Sequence, residues 1–278
     1  MQHNIHQLQA FDNTQLFAQE FLPDEDTKAI IVLVHGIGEH SSRYQHWVER
    51  FVSKGFALLT FDQRGHGLSE GKRGVISSYN DFLNDIDLVL HKAEEKYPDL
   101  PLILYGHSMG GGEVLNHLLK RNNKYVGVIS TSPWIISQAS PPKIVIPLLR
   151  FLNRLIPKIS IKTKFDSSLL SHNSEVCRQY DEDELVHHWV SFRLFVEAYD
   201  AGYFVYNSVE NINKPLLLIH GDEDEITNSK ASKIFADKNQ ENCTFKLWKK
   251  GYHELHNEPF NNEVLEYICD WIYKLLKK

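Results

Sequence analysis

The sequence predicts an α/β protein with a doubly wound, mostly parallel central sheet and helices on both faces. Two observations support this prediction: short apolar runs rich in Val, Ile and Leu recur along the chain, and segments with helical periodicity lie between several of them. Such runs suit strands that are buried on both faces of a parallel sheet. Their alternation with helices is typical of the α/β class.

The first two predicted strands differ from the others. Residues 5–10 and 16–21 flank a turn-rich tetrapeptide, which predicts an antiparallel hairpin at the edge of the sheet. The later strands are predicted at 29–35, 56–61, 102–106, 126–131, 215–220 and 244–248. Helices are predicted at 43–53, 79–97, 112–121, 229–237 and 262–276.

The alternation breaks between residues 132 and 208, where no clear sheet strand occurs. We therefore predict a core made of residues 1–132 and 209–278, with an inserted cap at 133–208. Prolines should divide the first part of the cap into short helices and extended pieces. They are Pro133, Pro141, Pro142, Pro147 and Pro157.

The start of the predicted cap belongs to a basic stretch of an otherwise acidic chain. Residues 114–165 contain no Asp or Glu, whereas the whole chain carries a net charge of −6. Within this stretch, residues 144–156 combine an apolar surface with Arg150 and Arg154, a composition typical of a helix that lies on a lipid surface. An apolar face is equally normal for a cap helix packed on its own core. Both interpretations stay open.

Composition excludes several function classes. The net charge of −6 gives no overall basic field, so we do not expect a nucleic-acid partner. The cysteines Cys177, Cys243 and Cys269 are widely spaced and include no C-x-x-C pair, which argues against a disulfide framework and fits a reducing compartment. The cap histidines His187 and His188 lack metal-ligand spacing, so no metal is expected.

No segment of the sequence predicts targeting to or across a membrane. The first six residues have neither a charged start nor an apolar stretch, and no apolar run reaches the length of a membrane span. We expect a cytoplasmic protein, peripheral to a membrane only if residues 144–156 contact lipid.

The pentapeptide Gly106-His107-Ser108-Met109-Gly110 has the G-x-S-x-G pattern of a nucleophile elbow, and it lies between a predicted strand and a predicted helix. The pattern proposes Ser108 as a nucleophile. A serine hydroxyl is a weak nucleophile at neutral pH, so it must be held within reach of a base. Glycines at 106 and 110 would allow the strand and the helix to approach closely.

Candidates for the base and the orienting acid follow Ser108 in the order known for this type of site. Asp222 and Asp224 come directly after the strand 215–220, and His253 comes after the strand 244–248. All of them fall at the carboxyl ends of predicted strands, where open α/β sheets bind ligands. From the residues alone, either aspartate could be the acid.

Two backbone amides are candidates for an oxyanion hole. Ile37 lies between glycines in His35-Gly36-Ile37-Gly38 at the end of a predicted strand, and Met109 opens the helix after Ser108. Both N–H groups could point at a developing oxyanion. Ester hydrolysis through an acyl-enzyme at such a site needs no cofactor.

Several segments resemble the α/β-hydrolases of the monoacylglycerol lipase and lysophospholipase type, also called serine aminopeptidase S33-like hydrolases. The resemblance extends from about residue 30 to residue 260, and its most specific part is the H-G-x-G-E-H-S-x-R-Y element. It implies an α/β-hydrolase fold with an inserted cap, and hydrolysis of a monoacylglycerol to fatty acid and glycerol. The matching segments are 35–44, 62–69, 106–111, 221–224 and 252–256.

The resemblance also assigns roles to single residues. It implies Asp224 rather than Asp222 as the acid and His253 as the base of Ser108. The polar head of the substrate would be held by Glu39, Arg43 and His256. Glu39 and Arg43 could instead be a surface ion pair at spacing i, i+4. His35 and Asp62 are expected to hold loops rather than to transfer protons.

Other functions share this fold. Lysophospholipase or general carboxylesterase activity would use the same chemistry, and acidic cap residues keep an aminopeptidase open. A catalytically inactive binding module is the alternative from another class, although the chain retains every triad residue. An acyl chain would need an apolar tunnel, for which we expect cap aromatics. The candidates are Phe192, Phe195, Tyr199 and Phe204.

Overall fold

A computed structural model describes residues 1–121, 124–208 and 212–277. Its strands form one large sheet and one two-stranded sheet. They are β1 (Gln2–Gln9), β2 (Gln15–Leu22), β3 (Ala29–Val34), β4 (Phe56–Phe61), β5 (Leu102–His107), β6 (Gly127–Thr131), β7 (Ser160–Lys162), β8 (Trp189–Ser191), β9 (Leu216–Gly221) and β10 (Cys243–Trp248). The helices are α1 (Gln45–Ser53), α2 (Tyr79–Lys96), α3 (Ser108–Lys120), α4 (Ile146–Leu155), α5 (Ser174–Glu182), α6 (Phe192–Asn207), α7 (Ser229–Lys238) and α8 (Asn261–Leu276).

The large sheet has eight strands in the order β1-β2-β4-β3-β5-β6-β9-β10. Strand β2 runs antiparallel to both of its neighbours, and the pairs from β4 to β10 are parallel. Strands β3, β4, β5, β6 and β9 are buried along their whole length. The predicted edge hairpin and the predicted mostly parallel sheet are both confirmed.

Helices cover both faces of the sheet, as predicted. On one face, Trp47 and Phe51 of α1 and Ile268 of α8 pack with Ile31 and Leu33 of β3. The opposite face is covered by α2, α3 and α7, whose buried side chains include Ile86, Val114 and Phe235. Each large apolar side chain buried in this way contributes on the order of 1.5–3 kcal/mol of transfer free energy.

Helix α3 begins at Ser108, four residues earlier than the predicted start at 112. The three glycines at 110–112 have low helix propensity, which misled the sequence-based prediction. A Cβ at Gly110 would lie 2.4 Å from the carbonyl oxygen of Val34, and one at Gly112 would lie 2.8 Å from that of Trp134. Close packing therefore requires glycine there and holds the helix in place.

Between β6 and β9 the chain forms α4, β7, α5, β8 and α6. Strands β7 and β8 pair with each other rather than with the large sheet. Helix α6 packs inward through the small and aliphatic side chains Leu194, Ala198 and Ala201. The cap boundaries at 133 and 208 remain a prediction, and residue 209, where the second core segment would begin, lies outside the described residues.

Helix α4 and the residue two positions before it expose an apolar stripe, defined as Ile144, Leu148, Phe151 and Leu155. Their exposed fractions are 86%, 56%, 57% and 63%. The spacing of four, three and four residues places these side chains on one side of the helix. The hypothesis that this segment packs on a core of the cap is wrong for these four residues. Within the described ranges, no helix is both long and apolar enough to cross a membrane.

Candidate active site

The turn between β5 and α3 holds Ser108 in a strained conformation. Ser108 has a φ of +55°, which is uncommon for a residue with a side chain. A Cβ at Gly106 would lie only 2.2 Å from the carbonyl oxygen of Gly110. Glycines on both sides therefore permit the tight turn that the sequence predicts, and such a turn presents the serine hydroxyl at the end of the strand.

Three of the predicted site residues form a continuous hydrogen-bonded chain. Nε2 of His253 lies 2.9 Å from Oγ of Ser108, and Nδ1 of His253 lies 2.8 Å from Oδ2 of Asp224. All three residues are buried. Asp222 is exposed, and its Oδ1 instead accepts a hydrogen bond from the backbone N–H of Lys250 at 2.6 Å. The structure thus brings Asp224, and not Asp222, to the histidine.

The Asp224 carboxylate is surrounded by donors. Its Oδ1 accepts the backbone N–H groups of Ile226 and Thr227 at 2.8 and 2.9 Å. Its Oδ2 contacts His253, the Thr227 hydroxyl at 2.8 Å and Nε2 of His220 at 3.0 Å. Burial alone would raise the pKa of Asp224, but the neighbouring His253 and His220 lower it well below its ordinary value.

His253 has the opposite shift. Burial would lower the pKa of its imidazole, but the charge of Asp224 and the hydrogen bond to it raise the pKa above the ordinary value of 6.5. An imidazole made more basic in this way accepts a proton more readily from a hydroxyl 2.9 Å away. The arrangement can therefore deprotonate Ser108 while Asp224 stays ionised.

The loop that carries Ile37 is fixed by His35, as expected. Nε2 of His35 accepts the backbone N–H of Gln63 at 2.9 Å, and the Gln63 amide donates to the carbonyl oxygen of His35 at 2.6 Å. Ile37 lines the cavity that contains Ser108. Met109 lies in the first turn of α3, where backbone N–H groups have no acceptor within the helix. Their role as oxyanion donors remains a prediction.

Asp62 also holds loops, as expected. Its Oδ1 accepts from the backbone N–H and the hydroxyl of Ser41 at 2.7 and 2.6 Å. Its Oδ2 accepts from the backbone N–H of Leu68 at 2.7 Å. Asp62 therefore ties the loop after β4 to the segment that follows the Ile37 loop.

The cavity around Ser108 has a volume of about 80 Å³. Pockets that enclose drug-sized ligands usually have about 300–1,000 Å³. The core contributes Ile37, Ser108 and His253 to its wall, and the cap contributes mainly aromatic and apolar side chains. The cap residues are Thr163, Phe165, Leu170, Tyr180, His187, His188, Trp189 and Val190.

The predicted tunnel residues on α6 do not line this cavity. Helix α6 turns Leu194 and Ala198 toward α3, which leaves the aromatic residues on its other sides. Phe195 and Tyr199 stack on each other with ring centroids 6.2 Å apart, and Phe204 is exposed beneath the Lys120 ammonium. Phe192 is likewise absent from the cavity wall. None of the four lines the cavity, because α6 turns its small and aliphatic residues inward, and their place in an acyl tunnel stays a prediction.

Glu39 and Arg43 form the predicted i, i+4 pair, but the pair is buried and lines the Ser108 cavity rather than the protein surface. Sequence reasoning missed its third member, Glu254. Arg43 donates to both carboxylate oxygens of Glu254, at 2.8 and 3.1 Å. The sequence did contain a sign of this role, because Glu254 is an acidic residue directly after His253 in the segment 252–256.

Burial alone would raise the pKa of Glu254, but the Arg43 charge lowers it well below its ordinary value. Glu39 accepts from the Gly36 N–H and the Tyr44 hydroxyl at 2.6 and 2.7 Å, besides Arg43. Two carboxylates therefore share one guanidinium at this end of the cavity.

His256 does not line the cavity around Ser108. Its ring stacks on Tyr44 with centroids 4.8 Å apart and meets His107 edge-on at 4.9 Å. Burial lowers the pKa of His256 to about 3, which keeps the imidazole neutral. Tyr44 and His107 pack directly against the His256 ring. Contact of His256 with a bound substrate stays a prediction.

Known proteins resemble the chain over most of its length. The family model described as serine aminopeptidase, S33 matches residues 25–260. A monoacylglycerol lipase of Mycolicibacterium smegmatis is 31% identical over 90% of this chain and 90% of its own length. An abhydrolase domain-containing protein of Dictyostelium discoideum is 35% identical over 98% of this chain, which spans only 29% of that protein.

The fold matches those of solved enzymes. The crystal structure of a monoacylglycerol lipase from Paleococcus ferrophilus superposes with a TM-score of 0.85 at 31% identity, covering 94% of this chain and 98% of that one. The predicted α/β-hydrolase fold and the resemblance noted in the sequence are therefore confirmed. The chain belongs to the serine aminopeptidase S33 family of hydrolases.

Proposed function

We propose that the protein hydrolyses monoacylglycerols to fatty acid and glycerol, with Ser108 as nucleophile, His253 as base and Asp224 as orienting acid. The contacts of 2.9 Å and 2.8 Å that join these three side chains carry the proposal. Two of the relatives described above, the enzymes of M. smegmatis and P. ferrophilus, are named monoacylglycerol lipases, which supports this substrate class.

In the first half of the reaction, Oγ of Ser108 attacks the ester carbonyl carbon while Nε2 of His253 takes the hydroxyl proton. The carbonyl oxygen becomes an oxyanion that the N–H groups of Ile37 and Met109 stabilise. The tetrahedral intermediate collapses, the bond to the glycerol oxygen breaks, and His253 returns its proton to that oxygen. Glycerol leaves and the acyl group stays on Ser108.

In the second half, water replaces the alcohol. His253 takes a proton from the water as its oxygen attacks the acyl carbon, and a second tetrahedral intermediate forms. Collapse releases the fatty acid and returns the proton to Ser108. Asp224 stays ionised throughout, because its lowered pKa favours the carboxylate while His253 alternates between neutral and charged forms.

The cluster of Glu39, Arg43 and Glu254 defines the polar end of the site. At their formal charges, two carboxylates and one guanidinium give the cluster a net charge of −1. Carboxylate oxygens accept hydrogen bonds from the hydroxyls of a glycerol head, whereas an anionic head would be repelled. This charge favours a monoacylglycerol over an anionic lysophospholipid.

The apolar stripe of α4 would bring the enzyme to its lipid substrate. The stripe is exposed, and the exposed cations Arg150 and Arg154 lie on the same helix. An apolar face flanked by cations suits the boundary between acyl chains and anionic head groups. We propose that this face rests on lipid from the cytoplasmic side, a location that fits the free thiols of Cys177, Cys243 and Cys269.

A panel of esters with one acyl chain tests the substrate class. We expect the highest kcat/KM for the monoacylglycerol, a lower value for a zwitterionic lysophospholipid and the lowest for an anionic one. An aminoacyl amide should not be cleaved. Ser108→Ala is the control for background hydrolysis. Preference for the amide or for the anionic lipid would contradict the proposal, whereas equal cleavage of all esters would indicate a general carboxylesterase.

A further inference from the structure

The Asp224 carboxylate contacts two imidazoles rather than one. Besides Nδ1 of His253 at 2.8 Å, its Oδ2 meets Nε2 of His220 at 3.0 Å. The other ring nitrogen of His220, Nδ1, lies 2.8 Å from Oγ of Ser232. The five side chains form one continuous row in the order Ser232, His220, Asp224, His253, Ser108.

The partners of His220 determine which of its nitrogens carries the proton. An ionised carboxylate can only accept, so Nε2 of His220 must donate to Asp224. In a neutral imidazole the remaining nitrogen is an acceptor, so the Ser232 hydroxyl donates to Nδ1. The Asp224 carboxylate thereby selects the tautomer, and the Ser232 hydroxyl, which can donate or accept, provides a partner for the nitrogen that carries no proton.

This polar pair lies within an apolar layer. Along β9, Leu216 and Leu218 point into the same core cluster as Phe235 of α7, and His220 follows them at the spacing of two that keeps a strand residue on one face. His220 and Ser232 are both fully buried. Burying polar groups between a strand and a helix costs free energy unless they are hydrogen-bonded. An aliphatic residue at 220 would pack in this layer without that cost, but it could not donate to Asp224.

We propose that His220 is a positioning residue of the active site: with its proton on Nε2 and its Nδ1 bonded to Ser232, it holds Asp224 Oδ2 in line with Nδ1 of His253. A neutral donor suits this task. When His253 becomes an imidazolium during the reaction, the single negative charge of Asp224 then faces one cation instead of two. The inference rests on the proposed function, because it assumes that Asp224 serves the base of Ser108.

Two substitutions at 220 separate positioning from packing. His220→Gln can keep a donor nitrogen near the place of Nε2, whereas His220→Leu removes the donor and fills the space with an apolar side chain. On a soluble p-nitrophenyl ester we expect His220→Leu to lower kcat by about ten- to a hundredfold, the usual effect of losing a hydrogen bond to a charged group, with KM within twofold of wild type. His220→Gln should restore most of the loss.

Rates are expressed per active site, titrated with a fluorophosphonate, so that misfolded protein does not count. Equal kcat values in His220→Leu and the wild type would overturn the inference, and so would equal losses in the Leu and Gln variants. Ser108→Ala, assayed in parallel, keeps the two proposals apart. If that variant retains turnover, the proposed function fails. If it is inactive while His220→Leu is unaffected, only the positioning role fails.

The tautomer can be observed directly by NMR of the protein labelled with ¹⁵N-histidine, with the His220 signals assigned from their loss in His220→Gln. We expect a protonated Nε2 and an unprotonated Nδ1. In Ser232→Ala we expect the same tautomer, because Asp224 still requires the proton on Nε2, and a partial loss of kcat at unchanged KM, because Nδ1 loses its partner. A proton on Nδ1 in the wild-type protein would overturn the proposed row of hydrogen bonds.

Discussion

The two halves of the site, the core and the cap, are built differently. On the core side, Asp224 is fixed by five hydrogen-bond contacts, and Ser108 is fixed by a turn in which glycine packs against backbone. On the cap side, the segment 187–191 is attached to core loops by backbone hydrogen bonds from His187 to Gly38 and from Ser191 to Gly74. The apolar stripe of α4 faces outward, and the helix is joined to α6 by the side-chain pairs Asn153–Arg193 and Arg150–Asp200, at 2.8 and 2.6 Å.

The side chains of the proposed triad are already hydrogen-bonded to one another, whereas the cavity beside them is small. The cavity of about 80 Å³ lies well below the roughly 300–1,000 Å³ of pockets that enclose drug-sized ligands. A long-chain acylglycerol requires far more space. The side chains of the proposed triad come from the core, whereas much of the cavity wall comes from residues 163–190.

The largest effect should come from the core. Asp224→Asn removes the charge that holds and stabilises protonated His253, so we expect kcat to fall by about 10⁴ on any ester. The measurement is steady-state turnover of a soluble p-nitrophenyl ester. Asp222→Asn is the matched control, since Asp222 is exposed and bonded to Lys250, and it should stay within twofold of wild type. The reverse ranking would make Asp222 the acid.

The next effect tests the contact between the two halves. Gly38 has a φ of +75°, and a Cβ there would lie 2.3 Å from the carbonyl oxygen of His187. Gly38→Ala must shift the loop that carries the Ile37 N–H, so we expect kcat to fall by about 10²–10³, the loss typical of one oxyanion donor.

Gly55→Ala is the control for Gly38→Ala. Gly55 has a φ of +87°, so alanine is strained there too, but its Cβ would meet only the flexible Lys28 side chain at 3.1 Å. We expect Gly55→Ala to lower the free energy of unfolding by about 1 kcal/mol while the kcat of the folded enzyme is retained. Equal kcat values for the two variants would show that the conformation at Gly38 does not affect the position of the Ile37 N–H.

A smaller effect, limited to lipid substrates, should come from the cap. Leu148→Glu combined with Phe151→Glu places charges on the apolar stripe, so binding to vesicles and turnover of vesicle-borne monoacylglycerol should fall by tenfold or more. Turnover of the soluble ester should not change. Ile5→Glu with Leu247→Glu alters exposed apolar residues of the edge strands and serves as the control. Unaffected vesicle binding in the α4 variant would refute the interfacial hypothesis, and so would unaffected binding after neutralising Arg150, Arg154 and Lys158.

The smallest effect concerns the attachment of the cap at low pH. Burial, together with the nearby charge of Arg73, lowers the pKa of His187 to about 4, and the other titratable groups beside it are His35, His66 and His188. The folded state thus favours neutral His187. Its contribution to stability is complete above the ordinary pKa of 6.5 and is lost as the pH falls through 4.

Hydrogen exchange of the amides at 187–191 measures this attachment. Exchange in the wild type should accelerate, relative to the core strands, as the pH falls from 6.5 toward 4. His187→Gln keeps a donor for the Gly65 carbonyl oxygen, which Nε2 of His187 meets at 3.0 Å, but it does not titrate. The variant should therefore show a weaker pH dependence, and an unchanged one would contradict the role of His187.

The sequence predicted best what depends on local pattern. Buried strands such as β3 and β9 are apolar runs, and the elbow around Ser108 is a short motif whose geometry follows from its glycines. The start of α3 was missed because tertiary packing overrides the low helix propensity of Gly110. The aromatic residues of α6 stand out in the sequence, but its small residues face inward. The sequence therefore did not show which side of α6 packs on the core.

Residues that act through distant partners were also missed. Glu254 becomes significant only when Arg43, 211 positions away, donates to it. His220 is a polar residue in an apolar run, a visible signal whose meaning requires Ser232 and Asp224 to be seen on either side of it. No local pattern contains such contacts, because they form only when the sheet and its helices pack.

If the core holds a reactive Ser108 independently of the cap, labelling with a fluorophosphonate followed by peptide mass spectrometry will show it. We predict one modified residue, Ser108, in the wild type, the same modification at a similar rate in Leu148→Glu/Phe151→Glu, and none in Ser108→Ala. Modification at another residue, or no labelling of the folded wild-type protein, would contradict the account.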